Sequence, residues 1–355
     1  CRLAGDYRMQ SDTGFKNPPE NLISEQGQIS YGNFIGPIAK LNWRDFDYTK
    51  LKRFPWTVCP SLAEKLFKRW QFAGIIDPDF AVGAAIAHVN YLSSGFFYVY
   101  DRSSGSLAEF NFKQPFGVQT QFSDTPACGI TRIKKGTGFI EFDNTSDGSS
   151  LCRLTIEIPG KTRAKLEIFG ESNGVSTICP QNKNGFHYTY KCAGLKARGS
   201  FELNGKRHEF SQEAMALFDW TASTPPHLTS WNWSAAVGKD TEGRNIGINL
   251  SRGLVGGNYS QNSVWVDGKP HMLSQADFEY DPLRMLETEW RVRTSDSRLD
   301  LRFRPQCERK ENINMWLISS RFRQPFGEFR GIIKLPEESF EVELFGVCEE
   351  HLAKW

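Results

Sequence analysis

Residues 153–168 read Arg-Leu-Thr-Ile-Glu-Ile-Pro-Gly-Lys-Thr-Arg-Ala-Lys-Leu-Glu-Ile. Apolar and polar side chains alternate on both sides of the Pro-Gly step, which is typical of a strand with one buried face. Proline followed by glycine is a strong turn signal. The segment therefore predicts two antiparallel strands joined by a tight turn.

The same hairpin pattern recurs along the chain. Residues 96–100 read Phe-Phe-Tyr-Val-Tyr, and a Ser-Ser-Gly turn separates them from a strand predicted at 107–110. Asn204-Gly205 and Asp267-Gly268 each follow an alternating segment. Both central residues of a type I′ turn need positive φ, which these dipeptides adopt readily, so each predicts a further hairpin.

Two short segments favour helix instead. Residues 61–70 begin with Ser61, and Glu64 three residues later completes a capping box. Residues 212–218 fit a second short helix. Because strand patterns dominate, the predicted fold class is all-β, with two closed or nearly closed antiparallel barrels and few short helices.

The composition is that of a globular protein with a sizeable core. The chain has 355 residues, which suggests two domains at roughly 150 residues each. Hydrophobic residues make up 39% and charged residues 24%, so disorder is excluded as a description of the whole. The net charge of +2 gives no argument for nucleic acid or an acidic membrane as partner. We expect no nucleic-acid partner, and the sequence indicates no oligomeric state.

Cysteines and apolar runs restrict the class further. No apolar run approaches the roughly 18 residues that span a bilayer, so no transmembrane segment is expected. The 8 cysteines form no Cys-x-x-Cys pair and are predicted to be buried free thiols. The Cys348 to His351 spacing alone falls far below a zinc signature, and no nucleotide fingerprint occurs. We therefore expect no metal and no organic cofactor.

The first residue bears on the compartment. Cys1 indicates either numbering that begins inside the gene product or the mature end of a processed lipoprotein. The polar, Pro-containing stretch 6–21 would suit a tether above a membrane. The predicted location is cytoplasmic, with a lipid-anchored periplasmic protein as the alternative.

Two motifs bear on chemistry and organisation. Residues 170–174 match the Gly-x-Ser-x-Gly elbow of serine hydrolases, but the β-branched residues that follow predict a strand where an elbow needs a helix. Segments 112–117 and 322–327 share Phe-basic-Gln-Pro-Phe-Gly, by chance or because two related barrels repeat it. The predicted organisation is an N-terminal extension at 1–20 and domains at 21–195 and 196–355.

The densest polar and aromatic cluster lies at 218–233. In a strand, Trp231 and Trp233 point to one face, where they would form a flat apolar wall in a barrel lumen. Asp219 and His227 near the barrel mouth could then transfer protons, and they are the predicted catalytic residues. In the alternative, the tryptophans only fill the barrel and His227 caps a turn.

A second cluster lies at 187–192. Alternation puts Tyr188 and Tyr190 on one face of a strand, and His187 and Lys191 on the other. Lys191 is either paired inside a barrel or solvated at a domain junction, because an unpaired buried charge is expensive. A third cluster, 346–355, suggests a tail held by packing. The predicted ligand-binding residues are Tyr188, Tyr190, Lys191, Trp231, Trp233, Asn249 and Trp265.

These clusters carry a resemblance to known proteins. The motifs are Lys68-Arg69-Trp70, the run 188–195, Phe218-Asp219-Trp220, the segments 229–233 and 262–268, and the closing 349–355. Together they resemble an uncharacterised, mainly bacterial family built as two lipocalin-like domains, over about residues 21–355. More distantly the chain is similar to carotenoid hydratases and to lipocalin-like cyclases and Diels-Alderases.

The resemblance implies a greasy, unsaturated ligand. The hydratases protonate an alkene with acidic and aromatic residues, and the cyclases mainly hold a substrate in a reactive conformation. The stretch around His227, Trp231 and Trp233 matches an aromatic, histidine-bearing strand of the hydratases, whereas their acidic partners are not matched.

The predicted function is binding of a hydrophobic small molecule. As an enzyme, the protein would catalyse a cofactor-free, proton-driven hydration, isomerisation or cyclisation of an unsaturated substrate. The alternatives are a non-catalytic lipid or pigment carrier, and a carbohydrate-binding protein. A buried carboxyl or imidazole group in an apolar cavity would favour the enzyme, whereas polar groups only at the rim would favour the carrier.

Overall fold

The fold consists almost entirely of strands. The computed structural model describes residues 15–47, 67–144, 150–169, 173–181, 185–256, 259–315 and 318–355. Strands account for 68% of the described residues, and the only helical residues in these ranges are a 3-10 turn at Trp43–Asp45. No helix within them is long and apolar enough to cross a membrane. The predicted all-β class is confirmed.

The first sheet is antiparallel and nearly closes into a barrel. Its strands are β1 (Gly32–Ile35), β2 (Lys68–Ile76), β3 (Phe80–His88), β4 (Leu92–Asp101), β5 (Ser106–Pro115), β6 (Thr120–Gln121), β7 (Gly129–Lys135), β8 (Gly138–Asn144), β9 (Cys152–Ile158), β10 (Thr162–Phe169), β11 (Val175–Gln181), β12 (Gly185–Leu203), β13 (Lys206–Glu209) and β14 (Met215–Ser223). Their order is β5-β4-β3-β2-β14-β12-β10-β9-β8-β7-β6, with β11 and β13 also paired to β12, and β1 to β11.

The second sheet is antiparallel and forms a half-barrel. Its strands are β15 (Leu228–Asp240), β16 (Asn245–Arg252), β17 (Ser263–Val266), β18 (Lys269–Met272), β19 (Ala276–Glu279), β20 (Trp290–Thr294), β21 (Leu299–Met315), β22 (Ile318–Leu335) and β23 (Glu338–Lys354). Their order is β18-β17-β16-β15-β23-β22-β21-β20-β19. Consecutive strands are therefore mostly neighbours, and β23 returns to pair with β15.

The predicted hairpins are confirmed. Strands β9 and β10 pair as predicted, with Leu154 opposite Leu166 and a turn at Pro159-Gly160. Asn204-Gly205, with φ of 53° and 76°, joins β12 to β13. Asp267-Gly268, with φ of 46° and 80°, joins β17 to β18. Positive φ at both central residues is the geometry that a type I′ turn requires.

The two predicted helices are wrong where the structure describes them. Residues 215–218 of the segment 212–218 belong to β14, which is hydrogen-bonded to β2 on one side and β12 on the other. Lys68, Arg69 and Trp70 of the segment 61–70 belong to β2, and residues 61–66 lie outside the described ranges. Strands buried on both faces carry continuous apolar runs, so periodicity cannot separate them from short helices.

The two sheets pack face to face, so that the molecule has three apolar layers. One core fills the first barrel, a second fills the concave side of the half-barrel, and a third lies between the sheets. The third layer includes Phe72, Tyr98, Trp231, Trp233 and Phe326. Strands β2, β12 and β14 of the first sheet, and β15, β22 and β23 of the second, therefore have both faces buried in the parts that meet at this layer.

The backbones of the two sheets touch at one edge of this interface. β12 has a bulge between Ala193 and Leu195, where Gly194 adopts a φ of 77°. A Cβ atom at Gly247 of β16 would lie 2.4 Å from the carbonyl carbon of Ala193. Only glycine fits at residue 247 without moving one of the backbones.

Sheet boundaries differ from the predicted domain limits. Leu195, the last residue of the predicted first domain, lies inside β12. The chain passes from the first sheet to the second between Ser223 and Leu228. Within the predicted extension, the Lys16 amide donates a hydrogen bond of 3.0 Å to the Asn33 carbonyl oxygen. This part of the segment 6–21 is therefore hydrogen-bonded to β1.

The shared Phe-basic-Gln-Pro-Phe-Gly motif does not mark equivalent positions. Pro115 ends β5, and Phe116 follows it with a φ of 53° and its ring exposed. Segment 322–327 instead continues through β22, where Phe326 is fully buried between the sheets. The two copies thus have different structures.

The cysteine prediction holds in part. Cys128 is disulfide-bonded, which corrects the prediction of free thiols at this residue. The free cysteines of the described residues are Cys152, Cys179, Cys192, Cys307 and Cys348. After the Gly-x-Ser-x-Gly motif the chain enters strand β11, as predicted, so no helix completes a nucleophile elbow.

Candidate functional site

A buried ion pair lies between the two sheets. Lys191 on β12 is directly opposite Asp219 on β14, both are buried, and the ammonium group contacts Asp219 Oδ2. The Thr221 hydroxyl donates to Asp219 Oδ1 at 3.0 Å. The expectation that Tyr188 and Tyr190 face away from Lys191 is confirmed, since both rings lie in the core of the first barrel. Lys191 is paired, and the solvated alternative is wrong.

Glu349 on β23 faces this pair from the other sheet. Its side chain is buried, with 7% of the residue exposed. Trp231 Nε1 donates to Oε1 at 2.8 Å, and Gln324 Nε2 donates to Oε2 at 3.0 Å. Burial raises the pKa of Glu349 to about 7, and the negative charge of Asp219 adds to this, while the two hydrogen bonds and Lys191 oppose it. Glu349 can therefore gain or lose a proton near neutral pH.

Aromatic rings form the walls around this carboxyl group. The ring planes of Trp231 and Trp70 are parallel, with centroids 6.3 Å apart across the interface. Trp233 meets Phe72 edge-on at 5.7 Å, and its ring centroid is 5.6 Å from Lys191 Nζ. The predicted shared face of the tryptophans is confirmed, but it faces the other sheet and not a barrel lumen. The site is an acid between flat apolar surfaces.

Arg309 on β21 extends the polar part of the site. It is directly opposite Gln324 on β22 and is buried. Its guanidinium carbon lies 3.8 Å from the Phe96 ring centroid, and Nη2 donates to Asn111 Oδ1 at 3.2 Å. Burial also raises the pKa of the neighbouring Tyr98 hydroxyl above its usual range, so this phenol stays neutral. A cation and a neutral hydroxyl group therefore lie near Glu349.

His351 borders the site as an uncharged ring. Its ring centroid is 4.2 Å from that of Trp231, and Nε2 is hydrogen-bonded to Ser320 Oγ at 2.8 Å. Burial lowers the pKa of His351 to about 3, with the charge of Arg309 contributing. The imidazole ring is therefore neutral at physiological pH and acts as part of the wall.

Partly exposed side chains lie at one end of the interface. Half-exposed side chains there belong to both sheets, with Trp70, Ala85 and Phe96 on one side and Phe322 and His351 on the other. We call this the Trp70 end.

A cleft lies at the opposite end of the interface. Its volume is about 890 Å³, which is within the usual range for small-molecule sites. Ile76, Val237 and Phe345 supply apolar lining, and Arg102 and Glu343 supply charge. Phe345 lies on the same face of β23 as Glu349, so the cleft continues the interface layer.

The predicted site residues divide into two groups. Asp219, Lys191, Trp231, Trp233 and Asn249 come together, and Trp233 Nε1 donates to Asn249 Oδ1 at 2.8 Å.

The remaining predicted residues have other partners. Tyr188 and Tyr190 are in the first barrel, whereas Trp265 belongs to the apolar layer between the sheets, where its Nε1 donates to Asn173 O at 2.9 Å. His227 is exposed, and its ring donates to the Trp355 carbonyl oxygen. The predicted packing of the tail is confirmed, because Trp355 Nε1 donates to Thr229 Oγ1 at 3.0 Å.

Sequence reasoning missed three residues of the site. Glu349 stands in the Glu-Glu-His run that suggested only a packed tail, and Gln324 stands in the motif that suggested only a repeat. Arg309 carries no sequence signal of its own. Alternation along β22 and β23 could have placed Gln324 on the same face as Phe326, and Glu349 on the same face as Val347. It could not have shown which face meets the first sheet.

The chain belongs to the family described as a domain of unknown function, DUF2804, whose model matches residues 15–355. No curated protein matches the chain.

Solved structures show the same fold at low identity. The chain is similar to kievitone hydratase from Nectria haematococca, with a TM-score of 0.52, 10% identity, and 80% of this chain and 88% of that one covered. For CghA solved with Sch210972 the values are 0.50, 9%, 82% and 89%. For a candidate ATTH from Nitrosomonas europaea they are 0.50, 14%, 80% and 92%. The shared architecture is lipocalin-like.

Proposed function

We propose that this protein binds a hydrophobic, unsaturated small molecule between its two sheets and that Glu349 acts on it as a general acid. The reaction would be a cofactor-free hydration, isomerisation or cyclisation. The observation that carries the proposal is a buried carboxyl group between tryptophans, with a pKa raised to about 7. A general acid works best when its pKa lies near the working pH.

The chemistry is a proton cycle on one carboxyl group. Protonated Glu349 transfers its proton to an alkene carbon, and the carbocation left behind is stabilised by the faces of Trp231 and Trp233. The Glu349 carboxylate then takes a proton back, either from an attacking water in hydration or from a carbon next to the cation in isomerisation or cyclisation. Proton and charge balance, and no redox partner is needed.

Neighbouring groups position the acid. Gln324 and Trp231 each hold one carboxyl oxygen, so the group has a fixed orientation. Lys191 and Asp219 neutralise each other, and together they leave burial as the main influence on the Glu349 pKa. Glu349 is therefore the proposed proton donor in place of Asp219 and His227. Asp219 is paired with Lys191, and His227 is exposed and hydrogen-bonded to the Trp355 carbonyl oxygen.

The relatives of known structure support the proposal only through the fold. Kievitone hydratase is named for a hydration, and CghA was solved with Sch210972. Both share the two-sheet architecture with this chain. A hydration or a reaction on a shaped ligand is therefore chemistry that this architecture accommodates, and the site residues must carry the rest.

A non-catalytic carrier is the second candidate. One observation favours it: both Glu349 oxygens already accept hydrogen bonds, and Lys191 and Asp219 are paired with each other. A carrier needs walls but no free acid. The two candidates share the ligand site and differ in what Glu349 does.

Turnover of a co-purified ligand separates them. Ligands from the native host are identified by mass spectrometry and incubated with wild type, with Glu349→Gln and with Glu350→Gln. Glu350 is the matched control, since it is the next residue along β23 and is bonded to Tyr280 instead. We expect Glu349→Gln to lose about a hundredfold or more in turnover while still binding ligand, the usual scale for a general acid. Equal turnover in both variants would reject the catalytic role, and binding without turnover by wild type would establish the carrier.

A further inference from the structure

Most of the exposed large apolar side chains of the described residues lie at one end of the molecule. The full set is Phe116, Val118, Leu228, Leu283, Leu286 and Ile332. Phe116 is 78% exposed, Leu228 63% and Val118 57%, so these side chains stand free of the core. All except Ile332 lie at the Trp70 end, as strand register shows.

Register places Phe116 and Leu228 at this end. Phe116 directly follows Pro115, which pairs with Leu92 at the start of β4, beside the loop that ends β3 near Trp70. Leu228 begins β15, three residues before Trp231, whose ring faces Trp70. The two apolar side chains therefore lie at the Trp70 end, on opposite sheets.

Leu283 and Leu286 lie on a loop at the same end. The Pro282 carbonyl oxygen accepts a hydrogen bond of 3.2 Å from Arg323. Arg323 pairs in register with Glu350, next to His351 at the Trp70 end. Ile332 instead pairs with Glu341 and lines the cleft at the opposite end.

The turn that carries Phe116 and Val118 is built to present them. Phe116 and Gln119 have φ of 53° and 58°, in the left-handed region that bulky residues rarely adopt. The Val118 amide donates to Pro115 O at 3.1 Å and the Thr120 amide to Gly117 O at 3.0 Å, so the turn is internally bonded. The Phe116 ring is held outward by a costly backbone conformation, and packing against the core does not offset that cost.

Lysines flank these apolar side chains. The amide of Lys134 donates to Gln119 O at 3.1 Å, which fixes Lys134 and Lys135 beside the turn. Both are exposed, and neither forms an ion pair with any residue that the structure describes. On the other sheet, Lys354 is directly opposite Leu228. The loop of Leu283 and Leu286 instead carries Asp281, Glu287 and Glu289, so the basic side chains lie beside Phe116, Val118 and Leu228.

We infer that the Trp70 end docks on a lipid surface with anionic headgroups. Apolar side chains on loops would enter the boundary between headgroups and acyl chains, and the lysines would contact the headgroups, the usual division in peripheral membrane proteins. Docking would place the Trp70 end of the interface against the bilayer, where an apolar ligand is concentrated. The inference needs no catalytic activity and stands independently of the role of Glu349.

Vesicle flotation with the full chain tests the docking. The probes are vesicles of phosphatidylcholine alone and of phosphatidylcholine mixed with phosphatidylserine. We expect wild type to float with the mixed vesicles and much less with the neutral ones. Phe116→Ser with Val118→Ser should weaken partitioning about tenfold or more. Lys134→Gln with Lys135→Gln should weaken it about 25-fold, at roughly fivefold for each lysine.

The control is Ile332→Ser, which removes an exposed apolar side chain at the opposite end and should partition like wild type. Circular dichroism of each variant checks that it is folded. Failure of wild type to float with the mixed vesicles would overturn the inference. Equal flotation by wild type and both double variants would do so as well, and so would a loss in Ile332→Ser as large as that in the Phe116 and Val118 variant.

Discussion

Trp231 Nε1 donates a hydrogen bond of 2.8 Å to Glu349 Oε1, between diagonal neighbours on strands β15 and β23. The residue directly opposite Glu349 is Trp233, so the carboxyl group is flanked by both indoles on one face of the sheet. The bond favours the ionised carboxyl, whereas burial favours the protonated one. Trp231 thus restrains the pKa of the acid that its own ring helps to bury.

Removing this hydrogen bond should raise the pKa of Glu349. Trp231→Phe keeps an aromatic wall and deletes the hydrogen-bond donor. Burial, which raises the Glu349 pKa, is then opposed by one interaction fewer. A hydrogen bond to a charged group contributes about 1.5–3 kcal/mol, so we expect a rise of about one unit or more. The infrared band of the protonated carboxyl group, followed against pH, measures it. Trp290→Phe, which deletes an indole bonded to Met285 O, is the control, and an unchanged midpoint in Trp231→Phe would contradict the expectation.

The raised pKa of Glu349 should make folding pH-dependent. The unfolded carboxyl has the ordinary pKa of about 4.5 and the folded one a pKa of about 7, so between these values only the folded state keeps the proton. Its contribution to the free energy of unfolding is therefore full below the lower value, falls as pH rises, and is constant above the upper one. The difference between the limits is about 3 kcal/mol.

Urea unfolding of wild type and Glu349→Gln measures this contribution. His351 and His187, whose pKa values burial lowers to about 3, change stability in the opposite sense, but they do so in both proteins. The wild-type minus variant difference should therefore fall by about 3 kcal/mol between about pH 4 and pH 8. A difference that is the same at both values would place the folded pKa of Glu349 at its ordinary value.

Breaking the Lys191–Asp219 pair should be costly. Lys191→Met leaves Asp219 buried without its partner, which should lower the free energy of unfolding by about 3–5 kcal/mol. Adding Asp219→Leu removes the stranded charge and should restore much of the loss. Lys40→Met, at the exposed pair with Glu20, should cost less than about 1 kcal/mol. A small cost for Lys191→Met in denaturant unfolding would show that water reaches the pair.

Trp233 should contribute directly to ligand binding. Trp233→Ala removes a wall beside Glu349 and should weaken binding by roughly 1–3 kcal/mol, the scale for burying a large apolar side chain. Quenching of tryptophan fluorescence on titration with the co-purified ligand measures it. Trp290→Ala, in the core of the half-barrel, should destabilise the protein without changing affinity. If Trp233→Ala also leaves affinity unchanged, its ring only fills the core.

Local pattern predicts much of this fold and little of the site. Alternation places Tyr190 and Lys191 on opposite faces of β12, because successive side chains in a strand point to opposite faces of the sheet. It could not say which layer each face meets. Trp231 and Trp233 therefore fit a lumen as well as an interface until the packing of the second sheet on the first is known. Glu349 acquires its chemistry from that packing, which no local pattern contains.

The contact between Gly247 and Gly194 has a mechanical consequence. Backbone meets backbone at that edge, so the two sheets cannot separate there without losing contact between rigid elements. The opposite edge is held by long side chains, such as Lys113 and Glu311, whose charged groups are 2.7 Å apart. The spacing of the two sheets is therefore fixed by backbone contact at the glycine edge and by side-chain length at the other. Any side chain larger than glycine at residue 247 would have to shift one sheet, and with it the spacing between Glu349 and Lys191.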